Sequence, residues 1–436
     1  MSTGAFPTGS RDGASPSDTA RALALLTGPD AGGLLAAAAA AAGGEVVSWR
    51  TRQVTARLRR GCTASYSAKL RWPDGRVTDE TLAASTGDRP AGALLLDDGD
   101  DEVAVWRFPF DPDLPGLPVA CDEEAVVDLF RELGFGGGPV RIRVRAYRPR
   151  RRAVIEAVGP RGRVFVKAVR PHRVEPLHHR HRLLVVSGMP TPQSLGWTSS
   201  GLLMLQALPG RTLRHALRSR AVPVPTGAEI VAMLDRMPGE IADGDARPSW
   251  LARVGHYAAI VAAGLPDQAD RAIQIGEAIA GEAGTGPTVP VHGDFYENQL
   301  LVDGGRIAGV LDIDTAGPGE RLDDLACLLA HLSVLAQLEP RRASATNRLG
   351  ARYLCAFERV VDPVDLRYRI AAVVVSLATG PHRVQERRWP AATRRRLDLA
   401  ERWLASARAA ARAERRMTDI SSSSHGALSA ITDGGR

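Results

Sequence analysis

The chain has 436 residues, of which 44% are hydrophobic and 24% are charged, with a formal net charge of +7. These values are typical of a globular protein of two or three packed units. No apolar run reaches the roughly 18 residues that a membrane helix needs, so we expect no membrane partner. The positive excess is small for so long a chain and attracts anions only weakly.

The four cysteines lie far apart and form no Cys-x-x-Cys pair; they are Cys62, Cys121, Cys327 and Cys355. This spacing argues against a disulfide scaffold and against a structural zinc site. The start of the chain lacks the apolar centre of a secretory signal. A cytoplasmic protein in a reducing environment is therefore expected.

The first part of the chain predicts an accessory unit. Residues 1–17 are polar and predict a disordered tail. The Ala/Leu-rich residues 18–43 predict one or two helices, which end at Gly43-Gly44. Alternating apolar and polar residues over 46–110 predict strands joined by turns. We interpret residues 18–118 as an N-terminal helix plus a β-rich unit of unassigned role.

Residues 119–208 predict a small antiparallel sheet with an inserted helix. A helix is expected over Asp122–Leu133, because acidic residues occupy its first turn. The segments RIRVRAY, RAVIEAV and RVFVKAV alternate as strands do, and GLLMLQAL reads as a buried strand. Between them, a further helix is expected over Glu175–Ser187.

Residues 209–412 are mostly helical in pattern and are interrupted only by the segment 289–320. Residues 413–436 are polar and of low complexity, which predicts a second disordered tail. The chain therefore predicts an α+β protein with a β-rich extension, a small sheet and a helical region.

The segment 289–326, VPVHGDFYENQLLVDGGRIAGVLDIDTAGPGERLDDLA, carries the clearest chemistry. Two apolar runs flank Asp303-Gly304-Gly305-Arg306, which is a hairpin signal. Pairing outward from this turn predicts three facing pairs: Val302 with Ile307, Gln299 with Val310, and Glu297 with Asp312. The hairpin therefore brings the loop that starts at Asp294 next to Asp312.

Two neighbouring carboxylates suit phosphoryl transfer. One orients the attacking hydroxyl and accepts its proton, and the other holds Mg²⁺ on the phosphates of ATP. A second metal ligand comes from either Gln299 or Asn298. Strand alternation favours Gln299, which shares a face with Asp312. Asn298 remains the alternative, because asparagine occurs only twice in this chain.

The motifs HGDFYENQLLV and GVLDIDTAGPG resemble, in order and spacing, the catalytic core of the aminoglycoside phosphotransferase and choline kinase-like families. The resemblance implies Asp294 as the catalytic base and Asp312 as the metal-binding carboxylate. It implies that His292 supports the loop and that Asp324 braces it. Gln299 stands where the family usually has asparagine, as it does in maltokinase-like relatives.

The resemblance implies a bilobal, protein-kinase-like fold with an antiparallel-sheet N-lobe over 119–208 and a helical C-lobe over 209–412. A protein-kinase-like fold requires a lysine on a strand, which contacts the phosphates of ATP, and an acidic residue on the next helix, which pairs with that lysine. Lys167 is one of only two lysines beside 54 arginines, and Glu175 is its expected partner. The backbone of Gln206, Ala207 and Leu208 is expected to read the adenine edge.

The predicted function is therefore transfer of the ATP γ-phosphoryl group to a hydroxyl of a small molecule, with ATP and Mg²⁺ required. A maltokinase-like sugar kinase and a nucleotide-binding regulatory pseudokinase are the alternatives. The Arg-rich stretch 383–396 lacks interleaved aromatics, so no nucleic-acid partner is expected. It suggests instead an acceptor that carries negative charge. The sequence identifies neither the acceptor nor the oligomeric state.

Overall fold

The computed structural model describes residues 16–57, 61–97, 102–219, 223–281 and 286–432. Most of the predicted tail over 1–17 lies outside these described residues. The α-helices are α1 (Pro16–Thr27), α2 (Ala31–Ala41), α3 (Leu117–Ala120), α4 (Glu123–Glu132), α5 (Pro171–Val186), α6 (Leu213–Ala216), α7 (Gly227–Leu234), α8 (Trp250–Gly264), α9 (Ala269–Ala280), α10 (Arg321–Leu338), α11 (Ala343–Phe357), α12 (Pro363–Ala378), α13 (Gly380–Arg383) and α14 (Trp389–Thr432).

The strands form four antiparallel sheets, with the orders β1-β2-β3-β5-β4, β6-β7-β8-β10-β9, β11-β13-β14 and β12-β15. Their bounds are β1 (Glu45–Arg57), β2 (Gly61–Arg71), β3 (Val77–Thr86), β4 (Leu94–Asp97), β5 (Glu102–Arg107), β6 (Arg141–Arg148), β7 (Arg152–Gly159), β8 (Gly162–Val169), β9 (Ser194–Trp197), β10 (Leu202–Gln206), β11 (Arg211–Thr212), β12 (Thr288–Val291), β13 (Leu300–Asp303), β14 (Arg306–Val310) and β15 (Gly317–Glu320).

The N-terminal unit packs α1 and α2 against the first five-stranded sheet. Apolar side chains of the helices and of β2 form its core; among them are Leu26, Leu35, Tyr66 and Leu70. The Tyr66 hydroxyl donates a 2.7 Å hydrogen bond to the Leu26 carbonyl. This bond joins the end of α1 to the middle of β2, because burial requires the phenol to find a polar partner.

The N-lobe is the second five-stranded sheet, covered by α4 and with α5 inserted between β8 and β9. The helix α4 begins after Asp122, whose side chain accepts a hydrogen bond from the Ala125 amide. The helix α5 begins at Pro171, four residues before the predicted start. Proline is well suited to the first turn of a helix, where its missing N–H costs nothing.

The C-lobe is a helical layer built around α12, which packs against α8, α10 and α14. The predicted α+β fold class, with a β-rich extension, an antiparallel N-lobe and a helical C-lobe, is confirmed. Residues 413–432, expected to belong to a disordered tail, form the last part of α14 instead. Neither proline nor glycine interrupts residues 391–425, and alanine is frequent there, so nothing ends the helix earlier.

No single helix within the described ranges has the length and apolar composition of a membrane span. Among the helices that the structure describes, only α1 and α2 together, bent by 60° between them, pass that test.

A buried ion-pair group fixes α12 to the start of α10. The Arg369 side chain is fully buried and lies 2.8 Å from Asp323 and 2.5 Å from Glu320. The Asp323 carboxylate also accepts a hydrogen bond from the Trp250 amide at the start of α8. Three helices therefore meet at this charge group.

We expect Arg369→Ala to lower the free energy of unfolding by about 3–5 kcal/mol, because it leaves two carboxylates without their cation in a buried place. Urea unfolding followed by circular dichroism measures the change. Exposed Arg359 offers a matched control, and Arg359→Ala should change the free energy by less than about 0.5 kcal/mol. Equal stability of the two variants would contradict the prediction.

Candidate active site

The predicted catalytic loop, which contains Asp294, follows β12 and is held by His292. This side chain is 1% exposed. Its Nδ1 accepts a hydrogen bond from the Asp294 amide at 3.3 Å, and its Nε2 lies 2.8 Å from the Leu311 carbonyl. These partners require a neutral imidazole with the proton on Nε2. His292 is therefore buried and positions the backbone beside Asp294.

Asp324 braces the same loop from the first turn of α10. Its fully buried carboxylate accepts the amide of His292 at 2.7 Å and the amide of Gly293 at 2.8 Å. Gly293 has φ +79°, and a Cβ on it would lie 2.6 Å from the Thr315 carbonyl oxygen. Only glycine fits this position.

The hairpin β13–β14 pairs Val302 with Ile307, as predicted. A bulge at Ala308 then shifts the more distant pairs by one residue, so that they are Leu301 with Gly309 and Leu300 with Val310. The predicted pairs of Gln299 with Val310 and of Glu297 with Asp312 are therefore wrong. The extra residue breaks the constant sum of paired positions.

The bulge still leaves Gln299 beside Asp312. Its Nε2 lies 3.3 Å from the Asp312 Oδ2, and its side chain is buried. In the described part of the chain, the Asn298 side chain makes no hydrogen bond. Of the two candidate metal ligands, the structure brings Gln299 to Asp312.

Asp312 adopts the left-handed backbone conformation, with φ 59° and ψ 48°. This conformation is uncommon for a residue other than glycine and concentrates at functional sites. The Arg152 guanidinium bonds both carboxylate oxygens, at 2.6 and 2.5 Å, and Lys167 Nζ lies 3.0 Å from Oδ1. Burial alone would raise the pKa of Asp312, but the charges of Lys167 and Arg152 outweigh it and hold the pKa well below its usual range.

Asp314 completes this ion-pair group. Its carboxylate accepts a 2.9 Å hydrogen bond from Arg152 and pairs with Lys167. Its carbonyl accepts a 3.0 Å bond from Arg180 of α5. The same two cations overcome the effect of burial and lower the pKa of Asp314.

The site residues predicted from the sequence include neither Arg152 nor Asp314. Arg152 closes the RPRRR run that joins β6 to β7, and Asp314 follows Asp312 by two residues in LDIDT. The only sequence signal was therefore a charged side chain of each sign at the edge of a motif. Neither motif indicates that the side chains of Arg152 and Asp314 contact each other.

The structure does not join Lys167 to Glu175, and that prediction is wrong. Lys167 is 4% exposed and pairs with Asp312 and Asp314. Glu175 is exposed on α5 and has no salt bridge to a described residue. Because α5 begins at Pro171, Glu175 lies in its second turn, where it is exposed to solvent.

The link between the lobes runs from the end of β10 to β11. The Gln206 amide already donates to the Gln193 carbonyl at 2.9 Å, so it cannot also donate to an adenine edge. Ala207 and Leu208 follow without regular structure and are half-buried. Leu208 packs against β14, where a Cβ on Gly309 would meet its Cδ1 at 2.6 Å.

Asp294 is partly exposed beside this ion-pair group. Burial raises the pKa of its carboxyl, and the neighbouring Asp312 charge raises it further. The charges of Arg148 and Arg152 act in the opposite direction. A carboxylate with a raised pKa next to one with a lowered pKa suits a division into base and charge-holding roles.

The residues present fit a magnesium ion at Asp312. Mg²⁺ prefers oxygen ligands, and the neighbouring side chains of Asp312 and Gln299 each contain one, although Gln299 turns its Nε2 toward Asp312 in this structure. In this structure Arg152 and Lys167 bond the same carboxylate. A metal ion at Asp312 would therefore compete with the Arg152 guanidinium for the carboxylate oxygens.

His331 of α10 lies behind the catalytic loop. Its ring stacks on Tyr296 with centroids 4.2 Å apart, and potential ligand atoms of Asp294, Cys327 and His331 lie within 4.8 Å of one another. Burial, aided by the charges of three arginines, lowers the pKa of His331 to about 3. The folded protein therefore keeps this imidazole neutral at mildly acidic pH.

We expect His331→Phe to weaken the pH dependence of stability while it keeps the stacked ring. Below about pH 6.5 the unfolded chain protonates His331 but the folded chain does not, so stability falls as the pH falls. Between pH 7 and 5 the wild type should lose about 2 kcal/mol more than the variant. Urea unfolding at both pH values measures this, with exposed His179→Phe as the control. Parallel losses in wild type and His331→Phe would contradict it.

We expect Asp324→Ala to loosen the catalytic loop, because two buried amides lose their acceptor. Each unsatisfied donor costs about 1–3 kcal/mol. Hydrogen exchange followed by mass spectrometry should show faster exchange in peptides that cover residues 290–296. The exposed hairpin acid Asp303 provides the control, Asp303→Ala. Unchanged exchange in Asp324→Ala would show that the loop does not depend on this carboxylate.

A model of the phosphotransferase enzyme family matches residues 147–356, whereas no curated protein matches the chain. Among solved structures, macrolide 2'-phosphotransferase MphH from Brachybacterium faecium is 21% identical, with coverage of 63% of this chain and 97% of that chain and a TM-score of 0.39.

Aminoglycoside phosphotransferase APH(3'')-Id from Streptomyces rimosus is 21% identical, with coverage of 58% and 98% and a TM-score of 0.37. A thermostable mutant of aminoglycoside phosphotransferase APH(4)-Ia is 15% identical, with coverage of 63% and 97% and a TM-score of 0.44. The matched residues 147–356 include the Lys167 strand, the loop at Asp294 and the Asp312 motif. Over this stretch the chain matches the phosphotransferase enzyme family, which confirms the resemblance to the aminoglycoside phosphotransferases inferred from the sequence.

Proposed function

We propose that this chain is a small-molecule kinase that transfers the γ-phosphoryl group of ATP to a hydroxyl. The observation that carries the proposal is the convergence of Lys167, Asp312 and Asp294 from three different elements on one place. Lys167 of β8 bonds Asp312, and the charge of Asp312 acts on Asp294. This arrangement supports phosphoryl transfer because that chemistry needs positioned charges more than a covalent intermediate.

In this proposal Asp294 orients the acceptor hydroxyl and accepts its proton. The acceptor oxygen forms a bond to the γ-phosphorus while the bond from that phosphorus to the bridging oxygen of ADP breaks. Asp312 and Gln299 would hold Mg²⁺, which neutralises charge on the phosphates. Lys167, released in part from Asp312, binds phosphate oxygens from the N-lobe side.

Arg152 has a specific place in the proposed cycle. Its bidentate pair with Asp312 balances the buried carboxylates before the nucleotide binds. When a nucleotide binds, a metal ion would be held by Asp312 and would neutralise its charge, and Arg152 would be free to bond phosphate oxygens. The exchange keeps each buried charge paired, which lowers the cost of opening the site.

Two other functions have an observation in their favour. A regulatory pseudokinase is favoured by the Arg152 pair, which covers both oxygens of the expected metal ligand. A sugar kinase is favoured by Gln299 beside Asp312, since maltokinase-like relatives also have glutamine at this place, and by the N-terminal unit. Magnesium-dependent turnover separates the first from the proposed enzyme, and acceptor identity separates the second.

We expect Asp294→Asn to lower kcat by about 10²–10⁴-fold, because the amide keeps the shape of the side chain but cannot accept the proton. The measurement is Mg-dependent ATP consumption with a panel of hydroxyl compounds, which includes aminoglycosides, macrolides, sugars, sugar phosphates and sugar acids.

Asp303→Asn makes the same chemical change in the exposed hairpin turn and should leave kcat unchanged. Acceptor-dependent turnover that is equally fast in Asp294→Asn would contradict the role of Asp294. ATP binding without turnover across the panel would favour the pseudokinase.

A further inference from the structure

Helix α10 presents a cysteine and a histidine to the loop that contains Asp294. Cys327 and His331 are four residues apart in the helix, so they lie on one face of it, one turn from each other. A carboxylate oxygen of Asp294, the Cys327 Sγ and a ring nitrogen of His331 lie within 4.8 Å of one another. A carboxylate, a thiol and an imidazole from two elements therefore share one place.

This combination of oxygen, sulfur and nitrogen donors is typical of a zinc site. Zn²⁺ lies about 2.3 Å from a cysteine sulfur and about 2.0–2.2 Å from a histidine nitrogen or a carboxylate oxygen, which puts tetrahedral ligand atoms roughly 3.4 Å apart. The three atoms therefore need to approach one another by at most about 1.4 Å, which small rotations of the side chains provide. Mg²⁺ does not suit this group, because it prefers oxygen ligands.

Glu297 lies beside the histidine with one oxygen unused. Its side chain is 0% exposed, and its Oε1 pairs with Arg214 at 2.7 Å. Its Oε2 has no hydrogen-bond partner among the described residues and lies 3.9 Å from the His331 Nδ1. A histidine that binds zinc through one ring nitrogen commonly donates the N–H of the other to a carboxylate. Glu297 has the position of that carboxylate, and a small approach would satisfy its buried oxygen.

The charges around the cysteine also favour a metal ion. Burial raises the pKa of the Cys327 thiol, and the negative charges of Asp294 and Asp324 raise it further. Surroundings that keep a proton on the thiol attract a divalent cation in its place, and coordination then releases the thiol proton to solvent. His331 needs no such exchange, because its imidazole is already neutral, which is the form that binds a metal.

A metal ion can reach this group from the side of the catalytic loop. Cys327 is 1% exposed, whereas the His331 side chain is 17% exposed and Asp294 is partly exposed. Three protein ligands leave a fourth tetrahedral position for water, as in the zinc sites of enzymes. Such a site differs from the four-ligand structural zinc site that the spacing of the cysteines argues against.

We propose that Asp294, Cys327 and His331 bind Zn²⁺ and that bound Zn²⁺ inhibits phosphoryl transfer. Glu297 orients the histidine for the metal. Inhibition follows because the metal occupies the carboxylate that would otherwise accept the proton of the acceptor hydroxyl. This consequence rests on the proposed function, whereas the metal site itself does not. The zinc position is distinct from the Mg²⁺ position expected at Asp312.

The first test uses Co²⁺ as a coloured substitute for Zn²⁺, because it takes the same kinds of ligand. One equivalent of Co²⁺ should give an absorption band of thiolate-to-cobalt charge transfer, and added Zn²⁺ should abolish it. Cys327→Ala should remove this band, whereas Cys355→Ser, which changes an exposed cysteine, should keep it. A band that persists in Cys327→Ala, or no band in the wild type, overturns the site.

The second test measures Zn²⁺ affinity by competition with a chromogenic chelator. Cys327→Ala and His331→Phe should each raise the Kd for Zn²⁺ by more than about tenfold. The phenylalanine ring can keep the stacking on Tyr296, and exposed His179→Phe should leave the Kd unchanged. Circular dichroism checks that each variant is folded, and each variant is a separate test. An unchanged Kd in either folded variant overturns the site.

The third test separates this inference from the proposed function. Zn²⁺ should inhibit Mg-dependent ATP consumption, excess Mg²⁺ should not relieve it, and His331→Phe should need more than about tenfold more Zn²⁺ for half-inhibition. Relief by Mg²⁺ would assign the inhibition to Asp312 and overturn the inference. Zinc binding by a protein that never transfers phosphate would retain the metal site while the proposed function fails. Full turnover by the zinc-loaded protein would retain the kinase and overturn the inhibition.

Discussion

The ion-pair group of Lys167 and Arg152 with Asp312 and Asp314 is the constraint on which the arrangement of this molecule depends. Its cations come from strands of the N-lobe and its anions from one turn of the C-lobe. Four charged side chains with little solvent exposure are stable only when they pair with one another, because a buried charge without a partner loses its hydration energy without compensation. The group therefore sets how the two lobes face each other, and the left-handed backbone of Asp312 is the local strain that the contacts maintain.

The same group separates the properties of the two central carboxylates. Asp312 lies against two cations and is held ionised, whereas Asp294 lies beside Asp312 itself and has its pKa raised. Asp294 is attached to a loop whose backbone is fixed by Asp324 and His292, both buried. Two acids of identical chemistry thus acquire different proton affinities from their surroundings, which is the physical requirement for assigning a proton acceptor and a charge holder to one site.

The sequence predicted those parts of the site that depend on local rules. The Gly-Gly turn gave the hairpin, and the hairpin brought Asp294 and Asp312 into one region. The rarity of lysine pointed to Lys167, which is the only lysine in this group.

The bulge at Ala308 escaped prediction, because it depends on packing against neighbouring strands rather than on the turn. The predicted pairing of Glu175 with Lys167 was also wrong. Helix α5 begins one turn earlier than its pattern indicates, and Glu175 lies on its solvent-exposed side. The pair of Arg152 with Asp312 joins residues 160 positions apart, and no local pattern encodes such a contact.

The N-terminal unit restricts how the two lobes can rotate relative to each other. A two-lobed enzyme with a single connection can open by rotation about its link, since loop residues absorb the change. Here a third unit contacts both sides, through β1 and the Tyr147 carbonyl on the N-lobe and through α1 and β1 on the C-lobe. Rotation of one lobe relative to the other must then break either the contacts with the N-lobe or those with the C-lobe. On the C-lobe side, α1 packs against α8 and β1 contacts α13. Motion that exposes the site is therefore expected to concentrate at the polar contacts of β1 with the N-lobe, where a hydrogen bond such as that of Gln53 is exchanged for water at small net cost.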